Sequence, residues 1–298
     1  MDTPAPITGY GPHVYFSGAA GARKTRTALL SGGCKLSQPA ENTAGLMAFL
    51  FAEAGLDVSR YRAAALERRH AACLRALGAS HPEHAQKILQ NKPERLAAAI
   101  DSVLLGVTDF FRDRDVFEGL GNSVLPQILA TTARPRIWSA ACSSGQELYS
   151  VALMLEHAGA LEVCELLGTD LRPEALRLAV RARFPAPSGD GLNGCRLHRR
   201  GNHVEIPEHT RRRIRWARRD LFRSAEQGPW DLILWRNMAI YLTPDAAQEV
   251  WQRLATELKP GGFLISGKAE RPPRGLGLER IAPSIYRKHR SEGTNHAL

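Results

Sequence analysis

Apolar residues recur at helical spacing through the first third of the chain. "GLMAFLFAEAG" puts Leu46, Phe49, Leu50 and Phe51 on one broad side, with Gly55 placed to end the helix. "DVSRYRAAALERRHAACLRALG" reads as a second amphipathic helix. Leu66, Cys73, Leu74 and Leu77 form its apolar side; Arg60, Arg62, Arg68, Arg69 and Arg75 form its polar side. "HPEHAQKILQN" and "KPERLAAAIDSVLLG" predict two more helices, each with proline in its first turn. Residues 42–107 are therefore expected to be a small all-helical domain, followed by a linker helix over 108–133. The period then changes. Strand-like runs "RIWSAA", "VCELLGT", "RIRWA", "DLILWR" and "GFLISG" alternate with helical patterns near 146–158, 172–183 and 244–258. That alternation predicts an α/β fold, a doubly wound and mostly parallel sheet covered on both faces, over 134–290. "LERIAP" and "SIYRK" lie close enough to form a terminal antiparallel hairpin. Residues 1–41, rich in Gly, Pro, Ser and Thr, read as an unstructured extension, and 291–298 as a tail. An Arg- and Gly-rich insert at 185–214 fits no βα unit.

Composition narrows this picture a little. Of 298 residues, 44% are hydrophobic and 23% charged, enough for a sizeable core. No apolar run approaches the ~20 residues a membrane-spanning helix needs, and the N-terminus lacks the pattern of a signal peptide. Five cysteines without a C-x-x-C predict a reducing, cytoplasmic setting with neither a metal site nor a disulfide framework. The net charge of +10 favours acidic partners, although arginine bias accounts for it equally well. No aromatic-interleaved basic platform accompanies the arginines, so specific nucleic-acid binding is not expected.

The candidate chemistry centres on "SAACSSGQELYSV", the first strand–turn–helix passage. Ligands of doubly wound sheets sit at the carboxyl ends of the strands. A phosphate-binding loop there uses several glycines and bare backbone. This loop has one glycine, Gly145, and an acid in the first helical turn, Glu147. Two like unit charges ~4 Å apart at an effective dielectric of ~20 repel by about 4 kcal/mol, so a phosphate is disfavoured. A cationic or zwitterionic ligand such as S-adenosylmethionine, with its sulfonium and ammonium, suits the loop. Asp170, at the tip of the next strand in "GTD", can accept ribose hydroxyls. Helix-dipole complementation by Glu147 and N-capping by Asp170 are the plainer roles for the same two acids.

Five ordered segments then resemble one family, the CheR-type methyltransferases, which esterify glutamate side chains of chemoreceptors with S-adenosylmethionine. "GLDVSRYRAAALERRHAACLRALG" resembles the family's helical N-domain, and "VTDFFRDRDVFEGL" its V-T-x-F-F-R-D linker. "RIWSAACSSGQELYSVAL" is similar to its W-S-A-x-C-S-x-G-x-E-x-Y-S loop. "WDLILWRNMAIYLTPDAAQEVWQRLATELKPGGFLISGKAE" is similar to the R-N-x-x-I-Y segment and the P-G-G-x-L-x-x-G-x-x-E that follows. The resemblance spans roughly 45–290 and implies a Rossmann-like class I methyltransferase domain. It implies that Thr108 and Arg112 close over the cofactor, that Glu147 holds its ammonium, and that Asp170 holds the ribose. Asp220 and Leu221 would flank the adenine, while Asn237 and Met238 line the remaining wall. Arg236 and Tyr241 would face the incoming carboxylate as the catalytic pair. Arg60, Arg62, Arg68 and Arg69 would meet an acidic helical receptor or signalling protein.

The chain departs from the family at Gln146 and Leu148 beside the key acid, and at Lys268 and Ala269, where the family usually has His and Ser. In the family, an inserted β-subdomain at the position of 185–214 can grip a receptor tail. A different carboxylate acceptor and a non-catalytic, cofactor-binding regulator are the alternative readings.

Overall fold

A computed structural model describes residues 14–15, 43–104, 106, 108–187, 191–192 and 194–290. The chain divides into two compact units. Of the described residues, one contains Val14–Tyr15, Gly106–Ile240 and those from Ala247 onward; the other contains residues 43–104 together with Tyr241–Ala246.

The second unit is helical: α1 (Thr43–Glu53), α2 (Ala63–Glu67), α3 (His70–Leu77), α4 (Pro82–Asn91) and α5 (Leu96–Val103). Leu46, Leu50, Phe51, Cys73, Leu77, Ala85 and Ala99 are wholly or almost wholly buried and form its core. Gly78, at φ +66°, ends α3 in the left-handed conformation that costs glycine nothing. Pro82 opens α4, where the His81 side chain accepts from the His84 N–H.

One expectation fails in this unit. The run 57–78 is not a single helix. Asp57 caps a short 3-10 turn, Val58–Arg60, and Tyr61 is extended. Arg62 N–H then donates to Tyr241 O, while Thr243 N–H donates to Arg60 O, both at 2.9 Å. Backbone pairing with a segment 180 residues away thus displaces local helix formation, since each N–H finds a partner either way.

The first unit carries the sheet. Its strands are β1 (Arg136–Ala140), β2 (Glu165–Asp170), β3 (Ile214–Arg218), β4 (Trp230–Trp235), β5 (Leu258–Ser266), β6 (Leu278–Ala282) and β7 (Ile285–Lys288). Their order is β3-β2-β1-β4-β5-β7-β6, with Val14–Tyr15 adding two residues parallel to β3. The rest of 1–41, and the tail, lie outside the described residues. β3, β2, β1, β4 and β5 are parallel, and β7 pairs antiparallel with both β5 and β6. The doubly wound sheet with a terminal antiparallel hairpin is therefore as expected. Helices α6 (Arg114–Gly119) and α7 (Leu125–Thr131), joined by a π-helical turn at Leu120–Val124, precede β1. Pro126, in the first turn of α7, cannot donate to the preceding turn, which accounts for the widened backbone there. α8 (Gln146–His157) joins β1 to β2, α9 (Pro173–Arg181) follows β2, and α11 (Pro244–Glu257) leads into β5.

β4 is buried along its whole length, as a central parallel strand with both faces covered must be. Trp138, Trp230 and Trp235 are its largest fully buried neighbours and members. Trp138 Nε1–H is satisfied by Thr169 Oγ1 at 2.9 Å. The insert after α9 is more regular than its sequence suggests. Arg183–Pro185, His203–Glu205 and Arg199–Arg200 form a three-stranded antiparallel sheet, with α10 (Glu208–Arg212) beyond it. Phe184 and Val204 point from this small sheet into the main core.

Candidate functional site

The strand order reverses between β1 and β4, so the loops leaving their carboxyl ends flank the crevice where such sheets bind ligands. The loop after β1 is tightly wound. Ala141 (φ +56°), Ser143 (φ +54°) and Gly145 (φ +90°) all take left-handed conformations. Cys142 N–H donates to Thr169 O and Gly145 N–H to Cys142 O. Gly145 has no room for a side chain: an added Cβ would lie 2.6 Å from Trp216. The strain at Ala141 and Ser143, of order 1–3 kcal/mol each, is the kind held at ligand sites. It starts α8 at Gln146 and puts Glu147 in the first helical turn.

Glu147 is only 9% exposed. Its Oε1 accepts from Ser139 Oγ–H at 2.8 Å, and its Oε2 from Arg236 Nη1 at 3.0 Å. Arg236 Nη2 donates to Asp113 Oδ2 (2.7 Å) and to Arg112 O (2.8 Å), and the guanidinium lies over Phe117. The expectation that Arg236 faces an incoming carboxylate is therefore not met. Its side chain is 1% exposed and is held between two acids of its own chain. Arg236 instead ties the segment before α6 to the start of α8.

Asp170, at the tip of β2, is the second expected acid and is also buried. Its carboxylate accepts from Ser143 N–H (2.7 Å), Arg172 N–H (2.9 Å) and Arg172 Nε (3.2 Å). A carboxylate has about four acceptor directions, so about one remains. Arg172 Nη2 also reaches Ser143 Oγ, which donates to Gly106 O. Burial, with the charges of Asp170 and Glu147, pushes the Cys142 thiol well above its usual range.

The loop after β4 holds Asn237 (φ +58°) and Met238, both half-buried. It is stapled by Glu270, which accepts from the N–H groups of Asn237 (2.7 Å), Gly267 (2.9 Å) and Ile240 (3.2 Å). Burial pushes the Glu270 carboxyl up, and these donors pull it partly back. Asp220, just after β3, accepts from Phe222 N–H at 2.9 Å, with Leu221 half-buried beside it. Thr108 and Arg112 are half-buried in the segment before α6.

The structure thus brings Arg112, Glu147, Asp170, Arg236, Asn237 and Met238 to the carboxyl edge of one sheet. Tyr241 belongs to the helical unit, through its carbonyl bond with Arg62. The expected arginine face is largely committed elsewhere. Arg60 pairs with Asp57 (3.4 Å), Arg62 Nε donates to Leu242 O (2.6 Å), and Arg69 donates twice to Ser102 O (3.1 and 2.7 Å). Arg68 remains exposed. Sequence reasoning missed Asp113, Ser139 and Glu270. The last was visible as the closing acid of "GKAE", the only signal that an anchor was there.

The donor set suits a cationic amino-acid group. Glu147 and Asp113 against Arg236 leave one net negative charge, which suits an ammonium; Arg236 Nε, a buried donor with no hydrogen-bond partner among the described residues, suits an acceptor oxygen instead. No cluster of metal-ligating side chains occurs among the described residues, nor any helix long and apolar enough to cross a membrane.

Comparison with known proteins agrees with this geometry. A family described as "CheR methyltransferase, SAM binding domain" matches residues 106–280. The chain is 31% identical over 241 residues to a chemotaxis protein methyltransferase of Listeria monocytogenes, covering 78% of this chain and 92% of that protein. It is 34% identical over 199 residues to one of Listeria innocua, covering 63% and 75%. It is 31% identical over 203 residues to chemotaxis protein methyltransferase 1 of Pseudomonas aeruginosa, covering 63% and 74%.

Proposed function

The chain belongs to the CheR methyltransferase family, and from that membership we propose that it methylates glutamate side-chain carboxylates of chemoreceptor proteins in the cytoplasm. The cofactor is S-adenosylmethionine, which when bound supplies a methyl group on a positively charged sulfur. The observation that carries the reading is the buried Glu147–Arg236–Asp113 cluster, whose surplus negative charge lies where the first βα loop receives a ligand.

Each residue then has a physical task. Glu147, oriented by Ser139 and Arg236, would accept the methionine ammonium. Asp170 would offer its remaining acceptor direction to the ribose. Asp220 and Leu221 would flank the adenine, with Asn237 and Met238 along the wall. Thr108 and Arg112 would close over the bound molecule. Tyr241 would donate a hydrogen bond to the acceptor carboxylate and fix its angle.

No general base is needed. A glutamate side chain titrates near ~4.3 and is already ionised at pH 7. Its oxygen lone pair forms the new O–C bond while the C–S bond breaks and its electrons stay on sulfur. The product is a neutral ester, and no proton moves. What the chain must supply is alignment, holding the reacting atoms roughly 3–3.5 Å apart and in line.

The test is transfer of a radiolabelled methyl group to chemoreceptor cytoplasmic domains. Base-labile label on glutamate is the expected result. Base-stable label, or label confined to another protein, would overturn the choice of acceptor. Failure to bind S-adenosylhomocysteine would overturn the cofactor site as well.

A further inference from the structure

An anionic acceptor needs a cation to meet it, and Arg236 is not available for that. It is buried, with both terminal nitrogens held by Asp113, Glu147 and Arg112 O. Arg172, on the same edge of the sheet, is committed to Asp170 and Ser143 and is 12% exposed. Arg112 is assigned above to the cofactor.

Lys268 differs from all of these. It follows β5 and lies at the carboxyl edge, beside the loop that carries Asn237. Gly267, the residue before it, is pressed so closely that an added Cβ would lie 2.5 Å from Glu270 Oε2 and 2.9 Å from both Asn237 N and Nδ2. Glu270 staples the two loops together. The Lys268 backbone is therefore fixed, while its side chain is 52% exposed.

Among the described residues the ammonium of Lys268 has one partner, Asp115 Oδ1, at 2.7 Å, and Asp115 is itself 58% exposed. Asp115 lies two residues from Asp113 of the buried cluster. The Asp115 contact, followed by the charge of Asp113, raises the Lys268 pKa above its ordinary value, against the opposing charge of Arg236. An exposed pair of this kind is weakly held, because water competes for both members. It can be exchanged for another carboxylate at little cost.

We propose that Lys268 recruits the acceptor carboxylate, exchanging Asp115 for it. Asp115 holds the ammonium until the acceptor arrives. The grip is deliberately weak: a solvated ammonium steers the carboxylate without tying up the lone pair that attacks. The proposal rests on the methyl-transfer reading and adds to it the residue that selects for a negatively charged acceptor.

Initial rates with a chemoreceptor cytoplasmic domain as the varied acceptor, at saturating cofactor, test this. Lys268→Met should raise the acceptor KM roughly three- to fivefold, and Lys268→Arg should restore it. Asp115→Asn should lower the acceptor KM about twofold, because the competitor is gone. Dissociation constants for S-adenosylhomocysteine should stay within about twofold of wild type in every variant. If Asp115 and Lys268 merely brace α6 against the loop, Lys268→Met and Asp115→Asn shift KM the same way, and the proposal falls. An unchanged KM in Lys268→Met also overturns it. If the wild-type chain binds S-adenosylhomocysteine but transfers nothing to the receptor domain, the acceptor reading fails and this assignment fails with it.

Discussion

Replacing Glu147 with glutamine keeps the shape of the side chain and removes its charge. The Glu147–Arg236–Asp113 cluster then goes from one net negative charge to none. A bound ammonium would lose a charge-assisted hydrogen bond, which contributes about 1.5–3 kcal/mol. The bare Coulomb energy of two unit charges ~4 Å apart at an effective dielectric of ~20, about 4 kcal/mol, sets the ceiling. Solvent screening takes little from this, since Glu147 is 9% exposed. Affinity for S-adenosylhomocysteine, which keeps the ammonium, should fall roughly 10- to 150-fold. The fold should survive. Arg236 keeps Asp113 and the Arg112 carbonyl, so the stability loss should be about 1–2 kcal/mol. That is less than the ~3–5 kcal/mol expected when a buried charge loses its partner outright. Titration calorimetry with two ligands separates the effects. Methylthioadenosine carries the adenosine and sulfur but no ammonium, so its affinity should barely change. Equal loss for both ligands, or no loss for either in a folded variant, would refute the assignment of Glu147.

Other consequences can be measured directly. Gly168→Ala would put a Cβ 2.3 Å from the Trp216 ring, and should cost about 1–3 kcal/mol in urea denaturation; a change under about 0.5 kcal/mol would mean that the ring yields freely. Glu270 has a raised carboxyl, so just above its ordinary value of 4.5 the folded chain binds more proton than the unfolded one, and stability contributed there is lost as pH rises. Glu270→Gln should remove that slope. It should also cost about 1–3 kcal/mol at pH 7, because one amide oxygen replaces two carboxylate oxygens that serve three N–H groups; parallel stability–pH curves for the two proteins would refute this. Burial pushes the thiols of Cys73, Cys142, Cys164 (up to about 11) and Cys195 upward, so at pH 8 none should alkylate until the chain unfolds, as peptide mapping after iodoacetamide would report.

Local chemistry was legible in the order of residues. Alternating strand and helix periods pointed to a doubly wound sheet because burial on two faces demands near-continuous apolar strands, such as "DLILW". Glu147 and Asp170 were readable because position along a βα unit places a side chain at the carboxyl edge whatever the rest of the chain does. The partners of those side chains were not readable. Arg236 lies 89 residues from Glu147 and 123 from Asp113, and nothing in their neighbourhoods announces that the three will meet. Folding closes that triangle, and so turns an arginine expected to greet the substrate into a buried strut. The same limit explains the broken helix at 57–78, whose helical period is sound but whose backbone finds Tyr241 and Thr243 instead of its own next turn. Periodicity reports which face of an element will be buried. It carries no record of what will lie against that face, because hydrogen bonds and ion pairs between distant segments depend on how the elements are stacked rather than on the spacing within each.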